Sequence, residues 1–217
     1  MKIYLTPEEL EKCTKFANKC AETQQKKEFG QNDTLPRGEQ EIGRDNLIGK
    51  IAEVAFAKML RESFKITIKL DFECYPRRVW DKTDTEINGW RIDIKGTRQG
   101  GQWLLVEWNK LVFRQKEENL PHLFVMASVG WDRKNDKPTR SVDLIGSASL
   151  QRLRHNVEKT IILSKGRCIP GTKTYLQADN YAIHFKDLEL DWSKVIKYIK
   201  SNQPPDTCNY PCPYGVS

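Results

Sequence analysis

Two aspartates and a lysine stand around one tight turn of this sequence. Asn88-Gly89 lies between strand-like residues, and that dipeptide favours a two-residue hairpin loop because both positions tolerate positive φ. The loop fixes the register. Ile87 then faces Trp90, Thr85 faces Ile92 and Thr83 faces Ile94 on an apolar side, because side chains alternate along a strand. On the other side Glu86 faces Arg91, Asp84 faces Asp93 and Lys82 faces Lys95. Directly opposed β-carbons lie about 4.5–5.5 Å apart, so Asp84 and Asp93 repel unless one is protonated or a cation binds between them. A hard divalent ion with oxygen ligands resolves the conflict, and Mg2+ fits best, with Mn2+ able to substitute. Lys95 falls on the same face, two residues beyond Asp93.

A metal beside a lysine suits phosphodiester hydrolysis. The metal polarises the phosphate, stabilises the developing charge and lowers the pKa of a bound water. The lysine orients that water, or takes its proton if its own pKa is depressed. The bland alternative is a half-exposed hairpin whose aspartates are simply solvated. A bulge would also change the pairing and bring Asp81 into the place of Asp84.

Helices and strands must position these groups. Thr6-Pro7-Glu8-Glu9 carries a hydroxyl N-cap, a proline at the first helical position and a capping-box glutamate, which predicts a helix over residues 7–27. Residues 29–43 read as a long polar loop. A second helix is expected over 46–61, with Ile48, Ala52, Ala55 and Met59 as its buried stripe and Glu53 at the stripe's edge. Gly49, one turn before Glu53, would let that helix approach a sheet closely. Strands are predicted over 65–70, 79–87, 90–97, 103–108, 123–129, 142–145 and 181–185, and further helices over 148–156 and 192–199.

This pattern resembles the PD-(D/E)XK nuclease superfamily, over roughly residues 46–129. The match consists of Gly49-Lys50-Ile51-Ala52-Glu53 on a helix, Asp84 before the turn, and Arg91-Ile92-Asp93-Ile94-Lys95 after it. Thr83 stands where the family pattern has proline, and the triplet begins with aspartate where glutamate is commoner. The resemblance implies an α/β fold with a restriction-endonuclease-like core, a central mixed β-sheet flanked by helices. It implies that Glu53, Asp84 and Asp93 ligate the metal with the Ile94 carbonyl as a further ligand, and that Lys95 assists the attacking water. It further implies a Mg2+-dependent endonuclease acting on DNA, with a restriction-type enzyme preferred over a minimal resolvase because of the long flanking segments. Double-strand cutters commonly act as dimers, so a homodimer is expected. The alternatives are an inactive nucleic-acid-binding module on the same fold, or a repair, recombination or RNA-directed nuclease.

The remainder of the chain is consistent with that partner. With 217 residues, a single domain over 1–201 and an irregular tail over 202–217 are expected. Lysine and arginine number 36 against 29 acidic residues, giving a net charge of +7 and a pI near 9.0, which favours a polyanion. Arg37, Arg44, Lys50, Arg77, Arg78, Arg98 and Lys110 surround the motif as phosphate-contact candidates. Gly96, Gly100 and Gly101 read as a flexible connection, and the tryptophans Trp80, Trp90, Trp103, Trp108 and Trp131 as core residues. The six cysteines lack paired spacing and read as scattered reduced thiols, and no leader or membrane span is evident, so a cytoplasmic protein is expected.

Overall fold

A computed structural model describes residues 1–25, 39–75, 83–107, 120–154 and 159–205. Helix α1 (Pro7–Gln25) begins as its residues dictate: Thr6 N–H donates to Glu9 Oε2 at 2.8 Å and Glu9 N–H to Thr6 Oγ1 at 3.1 Å, a reciprocal capping box. Helix α2 (Glu39–Phe64) starts well before the predicted boundary and takes in residues 39–43, which had read as loop. Its first turns are polar and half-exposed, so they carry no apolar period for a sequence pattern to detect.

A five-stranded mixed sheet packs on these helices. It comprises β1 (Lys2–Tyr4), β2 (Thr85–Ile87), β3 (Trp90–Arg98), β5 (Leu123–Asp132) and β6 (Lys137–Ser149), in the order β1-β6-β5-β3-β2. Only the β3–β5 pair is parallel, with Asp93 beside Phe124 and Lys95 beside Met126. Strand β5 is buried from Leu123 to Gly130 because both its faces are covered. Ile92, Ile94, Val125, Ala127 and Val129 pack against α1, α2 and α4 (Trp192–Ser201). Phe124 and Met126, on the opposite face, join a second core with β4 (Trp103–Glu107), α3 (Leu150–Arg154) and β8 (Asn180–His184).

That second core rests on a separate three-stranded antiparallel sheet, ordered β4-β8-β7; β4 and β8 fall on strands expected from the sequence, whereas β7 (Ile161–Leu163) does not. The mixed α/β sheet flanked by helices agrees with expectation at that coarse level. The strand expected over 65–70 is absent. Ile66, Ile68, Leu70 and Phe72 do alternate inward onto the core, but among the described residues the segment pairs with no strand and runs as a strap. Cysteine pairing also departs from expectation, since Cys20 in α1 and Cys74 at the end of that strap are joined as a disulfide. Cys13 and Cys168 are free thiols. No helix among the described residues is long and apolar enough to cross a membrane.

Candidate active site

The hairpin turns where the sequence requires. Asn88 and Gly89 adopt φ of 50° and 79°, and the ladder pairs Ile87 with Trp90, Glu86 with Arg91 and Thr85 with Ile92, in the predicted register. Regular pairing then stops, so Asp84 is not held opposite Asp93 by a continuing ladder. The Thr83 hydroxyl reaches the Ile92 carbonyl at 2.9 Å, and the Asp84 carboxylate accepts the Ile94 N–H at 2.5 Å. Asp84 thus caps the open edge of β3 one residue beyond Asp93. The N–H and C=O of one residue leave an extended strand on the same edge, so the Ile94 carbonyl also looks toward Asp84. Asp81 and Lys82 lie outside the described residues.

Charge is concentrated here. Burial pushes the Asp84 carboxyl well above the usual carboxylate range, and the negative charges of Asp93 and Glu53 push it further, against the opposing pull of Lys95 and the Ile94 N–H. Lys95 Nζ lies 2.6 Å from Asp93 Oδ2, with the two side chains 34% and 17% exposed. Burial alone would lower the Lys95 pKa, but Asp93, Asp84 and Glu107 outweigh it and hold the value above normal. Lys95 is therefore a cation at neutral pH, able to donate hydrogen bonds and to stabilise negative charge. Glu107, at the end of β4, is an acidic neighbour that sequence spacing could not have revealed, since only the docking of the second sheet brings it near Lys95.

Helix α2 brings Glu53 near enough to disfavour the Asp84 charge. The close approach that sets its distance is made at Gly96, not Gly49. A Cβ built on Gly96 would lie 2.7 Å from the Ile48 carbonyl oxygen, whereas one on Gly49 would meet nothing within 4 Å. Gly96 is thus part of a rigid packing contact and not of a flexible connection. Lys50, expected as a phosphate contact, is 6% exposed and turned inward; its Nζ donates to Glu53 Oε2 at 2.5 Å and to the Asp71 carbonyl at 2.7 Å.

Other cations cluster away from the carboxylates. Arg44 and Arg98 lie 3.2 Å and 3.7 Å from the two Asp136 oxygens, and the Arg98 guanidinium stacks over the Trp131 ring at 5.2 Å. With Gln99 and with Arg133, which the sequence did not single out, Arg98, Trp131 and Asp136 line an open cleft of about 350 Å3. Trp90 is buried as expected, while Trp103 and Trp131 are only partly covered. Arg37, Arg77, Arg78, Lys110, Trp80 and Trp108 lie outside the described residues.

The donor types suit a hard divalent cation: the Asp84 carboxyl, whose charge burial, Asp93 and Glu53 all disfavour, with a backbone carbonyl on the same strand edge. Among the described residues no group of three or more His, Cys, Asp or Glu side chains could hold a metal ion as placed; Asp84 accepts the Ile94 N–H, Asp93 pairs with Lys95 and Glu53 with Lys50. No family model matches this chain, no curated protein matches it in sequence, and no solved structure matches it in fold.

Proposed function

We propose that this chain is a Mg2+-dependent nuclease of the PD-(D/E)XK type, built on a restriction-endonuclease-like core and hydrolysing DNA phosphodiester bonds. The observation that carries the reading is the electrostatic proximity of Glu53, Asp93 and Lys95 to the Asp84 carboxyl, with Lys95 paired to Asp93 on β3. A carboxyl whose charge is disfavoured by burial and by two acidic neighbours gains by binding a divalent ion, and that gain does not depend on ancestry.

Glu53, Asp84 and Asp93 would hold the ion through carboxylate oxygens, with the Ile94 carbonyl beside them. Mg2+, when bound, supplies Lewis-acid polarisation of the phosphate and a water of lowered pKa. Lys95 remains protonated, holds the attacking water by hydrogen bonding and balances charge on the phosphoryl oxygens. Arg44, Arg98 and Arg133 supply the sequence-independent attraction to a phosphate backbone, consistent with the net charge of +7. A homodimer would provide one centre per strand for double-strand cleavage.

The test is cleavage of plasmid and single-stranded DNA by the wild type and by Lys95→Ala, in Mg2+, Mn2+ or EDTA. Metal-dependent cutting that the substitution abolishes supports the reading, and discrete fragments support a restriction-type enzyme. A second reading, a nucleic-acid-binding module without activity, is favoured by the protein donors that already engage each acid. DNA binding without cutting under any metal would establish it in place of the first.

A further inference from the structure

The cleft at Arg98 and Trp131 lies beyond the carboxyl ends of β3 and β5, the parallel pair of the sheet. Open α/β sheets bind ligands outside the carboxyl ends of their strands. A carboxylate stands in this cleft. Asp136 Oδ1 accepts the Trp131 indole N–H at 2.9 Å and lies 3.7 Å from Arg98 Nη1, while Oδ2 lies 3.2 Å from Arg44 Nη2 on α2. The Arg98 guanidinium rests over the Trp131 ring at 5.2 Å, and Arg133 reaches in from the β5–β6 turn, its Nη2 3.6 Å from where a Cβ on Gly100 would stand. The two oxygens of one anion thus gather two arginines and an indole N–H, and arginine recognises carboxylate and phosphate with the same fork of donors. The hold on Arg98 is loose. At 3.7 Å it is an ion pair without a hydrogen bond, and the Arg98 and Asp136 side chains are 46% and 56% exposed. Exposed pairs of this kind contribute about 0–1 kcal/mol, so exchange of one anion for another costs little.

We infer that Asp136 stands in the place of a nucleic-acid backbone phosphate and yields Arg98 to it when DNA binds. In the free protein Asp136 keeps Arg98 over Trp131. A phosphate entering the cleft takes Arg98 and is met by Arg133, while Asp136 retains Arg44 and the indole N–H. Three arginines against one aspartate leave positive charge for the incoming anion. The inference rests on the nucleic-acid part of the nuclease reading and requires no metal. Arg98 is three residues past Lys95 on β3, about 10 Å along the strand, so a backbone held at the cleft can continue toward the acidic residues.

The experiment is a fluorescence-anisotropy titration of a short labelled DNA duplex in EDTA at a series of salt concentrations, with circular dichroism to confirm folding. The proteins are the wild type, Arg98→Gln, Arg98→Lys, Arg133→Gln, Asp136→Asn and, as a charge control, Lys194→Gln, whose lysine pairs with Glu189 beside the far end of β6. Each arginine-to-glutamine change should lower the slope of log Kd against log salt by about 0.9, the share of one phosphate contact, and Arg98→Lys should keep it. Asp136→Asn still offers an oxygen to the indole N–H and tolerates the φ of 48°, yet removes the competing charge, so it should bind up to about fivefold more tightly. Should it fold poorly, Asp136→Gly, which suits the same φ, carries the comparison. Unchanged or weaker binding on loss of the Asp136 charge, wild-type slopes in both glutamine variants, an equal fall in slope for Lys194→Gln, or a wild type that binds no DNA in EDTA each overturns the inference. Cutting is assayed separately in Mg2+, so these outcomes leave the nuclease reading to that test, and the expected slopes in a protein that never cuts overturn the nuclease reading alone.

Discussion

Replacing Gly96 by alanine tests the packing that sets the site. The added Cβ would fall 2.7 Å from the Ile48 carbonyl oxygen and 2.9 Å from Ile48 Cγ2, where ordinary contact begins at 3.4 Å, so α2 and β3 must separate by about 0.7 Å. Backbone offers no rotamer escape, and overpacking of this kind costs about 1–3 kcal/mol. For a protein of this size that is a fall in Tm of about 2–4 °C per kcal/mol. Gly49→Ala is the matched control: it fills open space on the same helix, and a helix-interior glycine replaced by alanine gains roughly 0.5–1 kcal/mol. Urea unfolding should therefore separate the two variants by about 2–4 kcal/mol, with Gly96→Ala the weaker. Because the displaced helix carries Glu53, Gly96→Ala should also lose metal-dependent activity, which falls steeply with sub-ångström misplacement. Equal stability of Gly96→Ala and wild type, or a greater loss in Gly49→Ala, would refute the assignment of the close approach.

Asp84→Asn removes a carboxyl whose charged form burial, Asp93 and Glu53 disfavour, while keeping an oxygen to accept the Ile94 N–H; in EDTA it should raise stability by about 1–2 kcal/mol and yet abolish cutting, and a lowered Tm would count against that electrostatic cost. Burial, aided by the charge of Arg91, lowers the His122 pKa to about 4, and the ring sits against the Arg91 N–H at 2.9 Å and its guanidinium at 3.1 Å, which disfavours a second ring proton. Its folded value is depressed, so only the unfolded chain takes the proton between about pH 6.5 and pH 4. Stability should fall by about 3 kcal/mol as pH drops through that window, and His122→Gln should flatten the pH dependence of the urea midpoint. The Cys20–Cys74 link spans 54 residues, which on chain-entropy grounds contributes about 4 kcal/mol; dithiothreitol should lower Tm accordingly, and alkylation with mass spectrometry should count two new thiols.

Local chemistry was legible in the residues themselves. The Thr6/Glu9 capping box, the Asn88-Gly89 turn and the register from Ile87–Trp90 to Thr85–Ile92 all follow from interactions within a few residues, which any context preserves. The alternation that buries Ile92 and Ile94 and leaves Asp93 and Lys95 on the other face was equally readable. The structure draws Glu53 toward that hairpin, and the long-range character of the contact is why its role entered the sequence reading only through a resemblance.

Tertiary structure decided the rest. Whether residues 65–70 form a strand depends on a partner being alongside, and none is among the described residues. Which glycine meets the helix depends on where the sheet lies, so Gly96 makes the approach that spacing had given to Gly49. Lys50 and Arg98 looked alike as cations in the sequence, yet one is buried against Glu53 and the other is exposed beside Trp131, because the burial of a long side chain is set by whatever packs over it. Periodicity and turn chemistry are properties of neighbours in the chain; Glu107 beside Lys95 and Cys20 bonded to Cys74 are properties of elements far apart in the chain that the fold brings together.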